Sequence, residues 1–132
     1  MIEYLKGRVG MALNGISLNL EIINARGLKC PSCAIGSIGP RAKGVMELGM
    51  YVDLLDKFQR EGVKLRRLQM YIDSAPCLHP DLHLFIEEAT RRGIKTYLST
   101  MLQSTRCDFE KVIAARPTEF RISMPGWEQM SY

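Results

Sequence analysis

The sequence predicts an α/β fold of parallel βα repeats, and three observations carry that prediction. Runs with strand character recur four times along the chain. A helical segment lies between successive runs, and the loops that leave the strands carry all four cysteines. Strands that alternate with crossover helices imply parallel pairing and right-handed connections.

The elements follow in order. "ISLNLEII" at 16–23 alternates apolar Ile16, Leu18, Leu20 and Ile22 with other side chains, which is the period of a strand. A glycine-rich loop at 24–44 follows. "VMELGMYVDLLDKFQREG" then places Leu48, Val52, Leu55 and Phe58 at helical spacing, with Gly62 as the stop. "RRLQMYI" at 66–72 reads as a second strand. Pro80 opens a second helix with Leu82, Phe85, Ile86 and Ala89 on its apolar face. Arg91 and Arg92 suit the negative end of that helix, and Gly93 ends it. "IKTYLST" at 94–100 is a third strand, 108–115 a short helix before Pro117, and "TEFRISM" at 118–124 a fourth strand. Residues 1–13 are expected to form a leading helix or extension, with Ile2, Leu5, Val9 and Leu13 on one side and Gly7 and Gly10 weakening it.

A chain of 132 residues, 46% hydrophobic and 24% charged, has the composition of one globular domain. The net charge of +4 is spread out apart from Arg66–Arg67 and Arg91–Arg92, so a nucleic-acid partner is not indicated. Glu21 closes the longest uncharged segment, Val9–Leu20, which is too short to span a membrane. Glu3, Lys6 and Arg8 leave no apolar signal core, and a cytoplasmic location is expected. There the four cysteines are thiols or ligands rather than disulfides. No helical pattern follows the fourth strand, so 1–132 is expected to be the N-terminal portion of a larger domain.

In parallel α/β folds ligands bind at the carboxyl ends of the strands. Cys30 and Cys33 follow strand one, Cys77 strand two and Cys107 strand three, all on that edge. Several motifs are excluded. "GSIGPRAKG" lacks Walker A spacing, and no GxGxxG follows strand one. A thioredoxin-type CxxC would open a helix directly, and a zinc ribbon needs a second CxxC. His79 and His83 lack an HExxH context and read as a helix-start cap and a surface residue.

With these pieces laid out, the chain resembles the radical SAM superfamily from about residue 14 to 128. The segment "LNLEIINARGLKCPSC" is similar to that family's first strand and CxxxCxxC loop. "SAPCLHPDL" at 74–82, "STM" at 99–101 and "RISMPG" at 121–126 match its later loops. The resemblance implies a partial TIM-like barrel of which four strands are present. It also implies a [4Fe-4S] cluster held by Cys30 and Cys33 among its ligands, and S-adenosyl-L-methionine cleaved to a 5′-deoxyadenosyl radical. It further implies an electron donor such as a flavodoxin or ferredoxin. Ser32 falls where the family's cluster loop meets adenine, and Ser99, Thr100 and Ser123 fall at cofactor-side strand ends.

Two positions depart from the pattern. Arg26 stands at the first cluster cysteine, and a guanidinium neither loses its charge nor offers a lone pair to iron. Ser74 and Ala75 stand where the family has Gly-Glu, leaving Asp73 as the nearby carboxylate for the cofactor's amino group. Cys77 and Cys107 are the remaining candidates for a third thiolate. Three readings therefore stay open: a radical SAM enzyme impaired or incomplete in this chain; a non-catalytic remnant or half of a split protein pairing with a C-terminal half; and a zinc-binding structural module using Cys30, Cys33, Cys77 and Cys107.

Overall fold

The computed structural model describes residues 15–26, 44–102 and 106–124. The expected leading helix at 1–13 and the pair Cys30 and Cys33 lie outside them, as does Ser32. Four strands, β1 (Ile16–Asn19), β2 (Leu65–Gln69), β3 (Lys95–Thr100) and β4 (Glu119–Ile122), form one sheet in the order 1-2-3-4, and every pair is parallel. Between them run α1 (Leu48–Arg60), α2 (Leu82–Arg91) and α3 (Phe109–Ala114), with a 3₁₀ turn at Pro76–Leu78. The expected α/β order of parallel βα repeats is thus the observed one. Right-handed crossovers in a sheet of sequential order put all helices on one face.

That face holds the core. Leu68 and Met70, with Leu98 of β3, pack with Tyr51 and Leu55 of α1, Phe85, Ile86 and Ala89 of α2, and Val112 of α3. The expected apolar face of α2 is the buried one, and Phe85 at 0% exposure is worth about 1.5–3 kcal/mol of transfer free energy. In α1 the deepest residue is Tyr51, a position the leucine spacing passes over. Its hydroxyl donates to the Phe85 carbonyl at 3.2 Å, and the two rings lie 4.8 Å apart. Burial, and to a smaller degree Glu88, push the Tyr51 phenol above the usual range for tyrosine. α3 is capped by Asp108, whose carboxylate accepts from the Lys111 amide at 3.1 Å.

β2 ends at Gln69 rather than 72 and β4 covers Glu119–Ile122 rather than 118–124, and two larger differences share one reason. Regular β1 stops at Asn19 because the chain then turns toward 44–46. Ile23 and Val45 form an antiparallel bridge, Met46 N–H donates to the Ile22 carbonyl at 2.8 Å, and Asn24 N–H to that of Gly44 at 2.7 Å. Val45 and Met46 are thus held extended, and α1 starts at Leu48 rather than at 45. The same bridge brings the two ends of the glycine-rich segment together at the carboxyl edge of the sheet.

The opposite face of the sheet is polar. Register places Asn19, Gln69, Tyr97 and Glu119 in one row, with Ser99 and Arg121 in the next. Arg67 stacks over Tyr97 at 3.7 Å from the ring centre. Strand alternation alone separates these residues from Leu68, Leu98 and Phe120 on the helix side.

Candidate functional site

At the carboxyl ends of β1 and β2, Glu21 organises the turn. One of its carboxylate oxygens accepts the Asp73 and Ser74 amides at 2.5 and 2.8 Å. Ala75 N–H donates to the Ala25 carbonyl at 2.9 Å, so the stretch after β1 is tied to the stretch after β2 at two levels. This arrangement brings Arg26 and Asp73 together at 3.8 Å, with side chains 30% and 32% exposed. The Ser74 hydroxyl, one residue further along, is buried with no hydrogen-bond partner.

The ends of β3 and β4 form the other half of the edge. The hydroxyls of Ser99 and Ser123 meet at 3.1 Å, and Ser123 N–H donates to the Thr100 carbonyl at 2.8 Å. Thr100 points the other way, into the helix side, and its hydroxyl accepts the Leu102 amide at 3.1 Å. That bond helps hold Leu102 at φ 57°, a left-handed conformation unusual for leucine. Of the sequence-predicted residues, Asp73 and Ser74 stand together, Ser99 and Ser123 stand together, and Thr100 is separated from both by strand alternation.

Beneath the edge the remaining candidates are structural. His79 is 4% exposed; its Nδ1 accepts from the Asp81 amide at 3.1 Å, which leaves Nε2–H to donate to the Met46 carbonyl at 3.0 Å. The N-cap of α2 is Asp81 rather than the expected His79, whose ring holds the Asp81 amide and pins the chain entering α1. Cys77 is 3% exposed and sits in the core against Cys107. Burial, then the neighbouring Cys77, push the Cys107 thiol up to about 12, so in the metal-free chain it is held protonated. Among the described residues no three His, Cys, Asp or Glu side chains converge as a metal site.

In the sequence Glu21 stands out only as the charge that closes an uncharged segment. A single carboxylate ending an apolar strand was a signal, but the amides it holds lie 52 and 53 residues away.

No family model and no curated protein matches this chain. Its fold is similar to that of the radical SAM enzyme BtrN. Against BtrN in complex with AdoMet and 2-DOIA the TM-score is 0.66 at 16% identity, covering 83% of this chain and 46% of BtrN. Against BtrN in an open conformation it is 0.65 at 16% identity, covering 85% and 51%. The chain thus spans about half the length of the structures it matches. No helix among the described residues is long and apolar enough to cross a membrane.

Proposed function

We propose that this chain is a cytoplasmic, radical SAM-type module that binds S-adenosyl-L-methionine at the carboxyl edge of its sheet without completing the cluster that would cleave it. The observation that carries the reading is the edge itself. Glu21, Arg26, Asp73 and Ser74 lie at the ends of β1 and β2, and the Ser99–Ser123 hydroxyl pair at the ends of β3 and β4. Their fold is similar to that of a protein known in complex with AdoMet. Neighbouring strands lie about 4.8 Å apart, so residues of the two groups stand one to three strand spacings from each other, roughly 5–14 Å, a length an extended adenosyl amino acid can bridge.

The described residues do not fit a three-thiolate cluster. Arg26 faces Asp73 where the family resemblance puts the first cysteine, and Cys77 and Cys107 pack into the core on the helix side. A flavodoxin or ferredoxin donor belongs only to a cluster-loaded form, and a partner supplying further strands beside β4 belongs to the same proposal.

Equilibrium dialysis with labelled AdoMet tests the reading. Saturable binding is expected, weakened about tenfold by the double change Ser99→Ala and Ser123→Ala, the effect of losing two hydrogen-bonding groups. Anaerobic reconstitution should load Arg26→Cys with more iron than the unaltered chain. No saturable AdoMet binding by either protein would sink the reading.

A further inference from the structure

We propose that Cys77 and Cys107 are a reversible dithiol–disulfide pair, oxidised by a low-molecular-weight disulfide, whose cross-link staples the loop that leaves β2 to the loop that leaves β3. The pair stands outside the ligand-binding reading above, which makes no use of either thiol.

The fold brings the two sulfurs together from distant parts of the sequence. Cys77 sits in the 3₁₀ turn Pro76–Leu78, past the end of β2, and is buried. Cys107 precedes Asp108, the N-cap of α3, and lies half-buried against the same apolar cluster. The turn packs on β3, and the two side chains share a hydrogen bond. Both cysteines are free. A thiol is a weak donor and a weak acceptor, so the reduced pair gains little from that bond. Thiols already in contact, on separate loops, are the starting arrangement from which a disulfide closes. In a reducing compartment such a pair rests as thiols and answers to a change in redox poise, which is the usual role of a transient disulfide there.

The chemistry balances with one oxidant. Cys107, the more exposed thiol, reacts first: its thiolate attacks one sulfur of the small disulfide, and that S–S bond breaks. The released thiolate takes up the proton that Cys107 lost. Cys77 then loses its proton and attacks the Cys107 sulfur, and the second half of the small molecule leaves as a thiol. Two cysteine thiols are oxidised by two electrons, and one small disulfide is reduced to two thiols. Burial holds the Cys107 thiol protonated, which slows the first attack, although the small thiolate fraction is the more nucleophilic for its high pKa. The loops after β1 and β2 are already joined through Glu21 and the Ala75–Ala25 backbone bond. Oxidation adds the loop after β3 to that frame, and reduction releases it.

Incubation of the full chain with oxidised glutathione in chelator, followed by alkylation and trypsin digestion without reduction, provides the test. A peptide of residues 68–91 linked to one of residues 107–111 is expected in most molecules, and dithiothreitol should return both thiols. Closing a loop of this length should raise the Tm of the oxidised chain by about 10 °C. Cys107→Ser should lose both the cross-link and the rise, while the double change Cys30→Ser and Cys33→Ser should keep both. The peptide map of the unaltered chain decides the matter even where a variant fails to fold. Cys77 and Cys107 recovered as free thiols, or only as mixed disulfides with glutathione, overturn the proposal. A bond from either to Cys30 or Cys33, or a cross-link that forms only in denaturant, does the same. So does a cross-linked chain whose Tm is no higher than that of the reduced one. AdoMet binding by the reduced chain is independent of all these results.

Discussion

Arg92 lies between α1 and α2 with its side chain 14% exposed, and reaches Glu88 and Asp56 at 2.6 Å each. Arg26 lies at the carboxyl edge with its side chain 30% exposed, and stands 3.8 Å from Asp73. Both arginines face carboxylates, the first at 2.6 Å and the second at 3.8 Å. Two buried hydroxyls repeat the contrast. Thr96 Oγ1 is enclosed under the helices without a partner, and Ser74 Oγ is enclosed at the edge without one. On the helix side the charged groups link α1 to α2, while at the carboxyl edge Glu21 holds backbone amides and Ser99 meets Ser123. Location relative to the strand ends, more than residue type, separates the polar groups that join helices from those gathered at the carboxyl edge.

The largest expected effect removes the apolar frame. Phe85→Ala empties a site in contact with the Tyr51 and His79 rings and should destabilise the chain by about 3–5 kcal/mol in denaturant unfolding. A loss under about 1 kcal/mol would show that the helix side is not the core described.

Next come the arginines. Arg92→Ala leaves Glu88, 16% exposed, short of a partner and should cost about 1.5–3 kcal/mol. Arg26→Ala should cost under about 1 kcal/mol, as for other partly exposed pairs, while weakening binding of an S-adenosyl ligand. Equal stability losses would break the comparison. The Glu88 pair also has a pH signature. Hydrogen bonds from Arg91, then Arg92, hold the Glu88 carboxyl below its ordinary 4.5 in the folded chain. A carboxylate with a depressed folded pKa contributes stability above the unfolded value, and that contribution is lost as pH falls through the folded one. The difference in Tm between the chain and Glu88→Gln should therefore be full at neutral pH and shrink below about pH 4.5. A difference constant down to pH 3 would contradict this assignment.

The smallest effects sharpen the contrast between the hydroxyls. Thr96→Val removes an unsatisfied hydroxyl from the core and should raise stability by about 1 kcal/mol. Ser74→Ala should leave the ligand-free chain within about 0.5 kcal/mol of the original and weaken AdoMet binding. Identical behaviour of the two variants toward AdoMet would remove the distinction.

Much of the fold was legible because it is local. The spacing of Leu82, Phe85, Ile86 and Ala89 fixes the buried face of α2, and positive-φ glycines end α1 and α2 at Gly62 and Gly93. Strand alternation places Ser99 and Thr100 on opposite faces, so only one of them can share a site with Ser123. What stayed hidden depends on pairings through space. The bridge between Ile23 and Val45 shortens α1, and Tyr51 is buried because Phe85 of another helix receives its hydroxyl. The clamp from Glu21 to the Asp73 and Ser74 amides has no trace in local pattern. Arg26 was visible as a departure from the cysteine motif, but its carboxylate neighbour emerges only when β1 and β2 lie side by side.

Hydrogen exchange on the unaltered chain, with and without AdoMet, tests the central claim most directly. Slowed exchange is predicted in peptides covering Glu21–Arg26, Asp73–Ala75, Ser99–Leu102 and Ser123, the two halves of the carboxyl edge, with little change in α1 or α2. Protection confined to the helices, or no protection at saturating AdoMet, would contradict an adenosyl-ligand site at the strand ends.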